Sequence, residues 1–87
     1  MLNKDEWQAL TRLYIAGRQG IKHTGSGYGA AGSWDTLKAL RDHDPVLARE
    51  VTRLDPANAT THYLMVITDA GTQFYEKKRR LYTALYG

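Results

Sequence analysis

The sequence predicts a small, mainly helical α+β domain. Three segments carry apolar residues at helical spacing, each behind a capping residue. Two further runs, rich in β-branched and aromatic residues, flank an Asp-Pro-Ala-Asn loop as a hairpin would. Between the first and second helical segments, six of the eight glycines crowd into positions 17 to 32.

The first helix is expected from about Asn3 to Ala16. Asn3 and Glu6 have the spacing of a capping box, and Leu2 and Trp7 stand where a hydrophobic staple closes. Leu10, Leu13 and Tyr14 continue the stripe from Trp7, and Gly17 can take the left-handed conformation that ends a helix. The glycines that follow disfavour regular structure, because each loses more backbone entropy on ordering than any other residue. A mobile loop is expected, with room for a short strand at Ile21–His23.

Ser33 suits the N-cap of a second helix, Trp34 to Asp42, with Trp34, Leu37 and Leu40 directed at the core. Pro45 blocks its continuation. From Pro45 to Leu54 two readings stand. Leu47, Val51 and Leu54 are spaced as a helix face, whereas Val46–Leu54 also pairs as a strand with Thr61–Thr68 across Asp55-Pro56-Ala57-Asn58-Ala59-Thr60. The turn residues favour the hairpin. Thr68 or Asp69 then caps a last helix to about Leu85, whose apolar and aromatic residues span an arc of about 160° at 100° per residue.

Eighty-seven residues support a single domain, with no room for two lobes and a cleft between them. The absence of cysteine excludes a disulfide framework, a zinc ribbon and a thiol nucleophile. No apolar run reaches the length of a membrane span, and the N-terminus lacks a signal peptide's apolar core, so a cytoplasmic protein is expected. The net charge is +3, but four cations stand together as Lys77-Lys78-Arg79-Arg80. The remainder holds eight cations against nine acids, a balance of −1.

The run Tyr63-Leu64-Met65-Val66-Ile67-Thr68-Asp69-Ala70-Gly71 is similar to the last wing strand and following helix of winged helix-turn-helix regulators of the MarR and PadR type. Thr36-Leu37-Lys38-Ala39-Leu40 resembles their recognition helix, and Val46 to Leu54 their first wing strand. The likeness covers about Trp34 to Tyr86. The glycine-rich loop stands where that family usually carries a further helix, and His43-Asp44-Pro45 replaces a frequent glycine.

The resemblance implies a two-stranded wing, a long C-terminal helix and double-stranded DNA as partner. Such a chain would be a small transcriptional or mobile-element regulator, nucleoid-associated when bound to DNA. A recognition helix in the major groove would bring Thr36, Lys38 and Arg41 to the bases, and a wing would offer Arg49, Arg53, Asn58, Thr60, Thr61 and His62. Glycine amides leading into the helix after Ser33 suit a DNA phosphate, with side-chain contacts from Lys22, His23, Thr24, Ser26 and Tyr28.

Cofactor chemistry is not expected. Gly27-Tyr28-Gly29-Ala30-Ala31-Gly32 spells a dinucleotide fingerprint, but the preceding Ile21-Lys22-His23-Thr24 is too polar for the buried strand that fingerprint requires. His23, His43 and His62 lack metal-ligand spacing, and no serine sits in a nucleophile elbow, so an enzyme is not expected either. The wide aromatic arc of the last helix predicts a homodimer through Trp7, Leu10, Tyr14, Phe74, Tyr75, Lys78, Leu81, Tyr82, Leu85 and Tyr86. The competing class is a protein-interaction module on the same scaffold, which the −1 balance outside the basic run favours.

Overall fold

A computed structural model describes every residue of the chain except Ser26. Helix α1 (Lys4–Ala16) is followed by a 3-10 turn (Gly17–Gln19), strand β1 (Ile21–Lys22), helix α2 (Trp34–Asp42), strands β2 (Ala48–Asp55) and β3 (Thr60–Ile67), and helix α3 (Asp69–Tyr86). The strands form one antiparallel sheet in the order β1–β3–β2. No helix among the described residues is long and apolar enough to cross a membrane.

Local chemistry sets each helix start. The Asn3 side chain accepts from the Glu6 N–H at 2.8 Å while the Glu6 carboxylate accepts from the Asn3 N–H at 2.9 Å. Ser33 Oγ accepts the Thr36 N–H, and Thr68 Oγ1 accepts the Gly71 N–H. Gly17, at φ 62°, ends α1 with its N–H on the Leu13 carbonyl.

The segment 48–55 is a strand, so the helical reading of Pro45–Leu54 is set aside. Beyond Pro45 the backbone is held by strand partners: Ala48 faces Ile67, and the ladder runs without interruption to Asp55 facing Thr60. Asp55 Oδ1 accepts the Ala57 N–H and fixes the turn that the sequence places there.

Leu10, Leu13, Leu37, Leu40, Leu47 and Met65 are fully buried between the helices and one face of the sheet. A stack of aromatic rings joins α1 to α3: Trp7 lies 4.7 Å from Tyr75 and 4.5 Å from Tyr82, centroid to centroid. The chain's first residues close over it, since Tyr82 Oη accepts from the Leu2 N–H and Tyr86 Oη donates to the Leu2 carbonyl.

Three expectations need correction. Trp34 is 47% exposed and not a core residue, because the first turn of α2 overhangs the edge of the core. The end of the glycine-rich segment, residues 28–32, is anchored rather than loose: Tyr28 and Ala31 are buried, and the Ala31 and Gly32 N–H groups both donate to the Tyr28 carbonyl. On α3 the buried side is Gly71, Tyr75 and Tyr82, while Leu81 and Leu85 are exposed. The arc therefore divides into an aromatic half that α1 covers and an aliphatic half that it does not.

Candidate nucleic-acid interface

On α2, Lys38 is exposed and Thr36 is half-buried, its hydroxyl accepting from Ser33 Oγ at 2.9 Å as part of the cap. Arg41 is already engaged. Its Nε donates to Asp42 at 3.1 Å, and its guanidinium lies 5.5 Å from the centre of the Trp34 ring. Ser33 itself serves as the N-cap, so the second helix presents one unengaged cation, Lys38.

An open pocket of about 690 Å³ lies beside the start of α2. Its walls include His23, Tyr28, Gly29, Gly32, Trp34 and Glu50. The buried Tyr28 hydroxyl donates to Glu50 Oε2 at 2.6 Å. Burial, and then that bond, push the Tyr28 hydroxyl far above the ordinary phenol range, so it stays protonated as a donor. His23 meets the Tyr28 ring edge-on at 5.0 Å, and its backbone N–H donates to the Tyr63 carbonyl. Thr24 and Gly27 exchange backbone hydrogen bonds of 2.8 and 2.9 Å. Ser26 lies outside the described residues. Tyr28 is thus a structural anchor with its hydroxyl turned inward, contrary to the expected DNA contact.

Strand alternation separates the remaining candidates. Opposed residues in the ladder share a face, so Glu50 goes with Met65 and Ile21, toward the core and the pocket. Lys22, Leu64 and Val51 share the other face, together with Arg49 opposite Val66 and Arg53 opposite His62. Arg18, on the 3-10 turn, joins them: its carbonyl accepts from Arg53 Nη2, and it lines a shallow recess with Arg49, Val51, Val66, Thr68 and Asp69. Four cations are gathered here, opposed by Asp55 and Asp69. Asp55 is itself 3.7 Å from His62. Lys22, Arg49, Arg53 and His62 are therefore brought together, on the face away from the pocket.

At the hairpin tip Asn58 Nδ2 donates to Asp55 and Thr60 Oγ1 donates to the Asn58 carbonyl, so both are occupied in holding the turn. Thr61 is exposed opposite Leu54.

Sequence reasoning missed Arg18 and Glu50. Arg18 sits on an irregular turn where no periodicity points, and Glu50 becomes meaningful only once it meets Tyr28, 22 residues away. The dimer candidates also divide. Trp7, Leu10, Tyr75 and Tyr82 are buried within the protomer and cannot form an interface, because α1 and α3 cover each other's aromatic faces. Tyr14, Phe74 and Tyr86 are half-buried, and Lys78, Leu81 and Leu85 are exposed. No family model, curated protein or solved structure matches the chain.

Proposed function

We propose that the protein binds double-stranded DNA and acts as a small regulator, with the outer sheet face laid along the phosphates. The observation that carries this reading is the convergence of Arg18, Lys22, Arg49 and Arg53 on one sheet face. The sequence balance of −1 outside the basic run gives no hint of such a patch, and only the register assembles it. A flat cluster of cations beside a protruding ribbon suits the backbone of a duplex. The outer half of the hairpin, Thr52 to Thr61, is almost wholly exposed. Two strands alone are marginally stable in water, so a ribbon extended this far is suited to holding a partner. From Trp34 onward a helix, a hairpin and a helix follow in the order of the winged-helix resemblance, with the glycine-rich segment standing where that family carries a further helix.

The test is fluorescence anisotropy on a random duplex of about 20 base pairs at two salt concentrations. Affinity should fall steeply between about 50 and 200 mM salt, and Arg49→Ala with Arg53→Ala should reduce the log–log slope by about 2. Salt-insensitive binding, or none at tens of micromolar protein, overturns the reading.

One observation favours a protein partner instead. Leu54 and Tyr63 are 63% and 51% exposed on the inner face of the hairpin, and apolar side chains so placed suit a docking surface. Under that reading the duplex titration fails and Arg49 and Arg53 are dispensable.

A further inference from the structure

We propose that the pocket between the glycine-rich segment and α2 binds a guanine base. This goes beyond duplex binding, since Glu50 faces the opposite side of the sheet from Arg49 and Arg53. The pocket, about 690 Å³, falls in the size range of small-molecule sites and easily takes a purine. Three rings stand among its glycine-rich walls: Trp34, with Arg41 against its ring, together with His23 and Tyr28. A half-exposed tryptophan backed by a guanidinium is a stacking platform for a base.

Glu50 supplies the selection. It makes no ion pair among the described residues, although the chain holds 12 Lys and Arg. Tyr28 donates to one of its oxygens and thereby fixes the carboxylate at the pocket wall. A carboxylate only accepts hydrogen bonds, and each oxygen has two lone-pair sites, so both oxygens can still receive a ligand N–H. It therefore pairs with a ligand edge bearing two adjacent donors. Guanine has that edge in N1–H and the N2 amino group. Adenine and cytosine set a ring-nitrogen acceptor beside their amino group, and thymine flanks its one N–H with two carbonyls, so each turns a lone pair toward the carboxylate.

The base can arrive on a free nucleotide or on an unpaired strand, and the titration separates these sources. Trp34 is the exposed tryptophan and Trp7 is buried in the ring stack, so intrinsic fluorescence reports the pocket. GMP should quench it, IMP, lacking the N2 amino group, should bind about tenfold more weakly, and AMP should bind more weakly still. Glu50→Gln should lose at least about tenfold for GMP while circular dichroism and duplex binding stay unchanged. A nine-nucleotide oligothymidylate with a single central dG, compared with plain oligothymidylate, gives the strand arm. A preference for the dG strand over GMP assigns the base to nucleic acid, and the reverse assigns it to a free nucleotide. AMP binding as tightly as GMP, a silent Glu50→Gln, or no binding of GMP or the dG strand at millimolar concentration overturns the proposal. Arg53→Ala should leave GMP affinity unchanged, so failure of duplex binding and failure of the pocket are read separately.

Discussion

Gly71 gives the residue scale its sharpest case. It stands in the first turn of α3, where an added Cβ would run into the Leu47 carbonyl and against the Ile67 side chain. That carbonyl is no movable side chain: it accepts the Thr68 N–H, while Thr68 Oγ1 donates to the neighbouring Val46 carbonyl. A helical Gly→Ala change ordinarily stabilises by about 1 kcal/mol. Here Gly71→Ala is expected to destabilise by roughly 2 kcal/mol, because α3 must lift from the Leu47 backbone to admit a methyl group. Gly29→Ala, where the added atom meets open space, is expected to change stability by only a few tenths. Chemical denaturation of the two variants compares them directly, and a stabilised Gly71→Ala would contradict the close approach. The Thr68-x-x-Gly71 string that gives the sequence its winged-helix likeness thus has a packing reason within this chain. Caps of this kind were legible because their partners lie three residues apart. The exposure of Trp34 was not, since periodicity marks a stripe without saying where the core beneath it ends.

At the scale of elements, the glycine-rich segment shows how a loop with few local preferences is fixed from a distance. Its anchor is the Tyr28 hydroxyl on Glu50 of β2, supported by the Ala31 methyl in the core. Tyr28→Phe removes that bond and is expected to cost about 1 kcal/mol, or about 5 °C in Tm for a domain of this size. The effect carries a pH signature. The folded chain holds this proton more tightly than a free phenol does. Its contribution is therefore complete below about pH 10 and is lost as pH rises above that value. Tyr14, whose hydroxyl donates to Glu76, is also shifted upward, but it is common to both proteins and cancels in their comparison. Thermal melts should show wild type above Tyr28→Phe at about pH 8, with the gap narrowing at about pH 11. A gap that stays constant across this range would show that the hydroxyl contributes no proton-linked stability. The sequence marked this segment for its glycines, and the glycines predict freedom. What they cannot encode is the β2–β3 register that brings Glu50 within reach, or the sheet face that Arg49 and Arg53 share with Lys22.

For the whole molecule, the aromatic arc of α3 has to be divided before association can be argued. Tyr75, Tyr82 and Tyr86 form the side closed by α1 and the chain's first residues, whereas Phe74, Lys78, Leu81 and Leu85 recur at i, i+4, i+7 and i+11 along an adjacent stripe. Leu81 and Leu85 are 48% and 50% exposed, and a second copy packing its own stripe antiparallel would cover them. The same geometry brings the exposed Lys77 and Lys78 of both copies to one contact, four cations with little acid nearby. Apolar burial and charge repulsion therefore oppose each other across this interface, and salt weakens only the repulsion. We propose a weak homodimer that tightens with ionic strength, the reverse of the salt dependence expected under the proposed duplex binding. Sedimentation at tens of micromolar protein should show the dimer fraction rising between about 50 and 500 mM salt. Leu81→Asp with Leu85→Asp should abolish it without unfolding the protomer, since neither side chain belongs to the core. Tyr82→Asp would be uninformative, because that residue is 2% exposed and its loss would open the ring stack. A 9.8 kDa monomer at both salt concentrations removes the dimer.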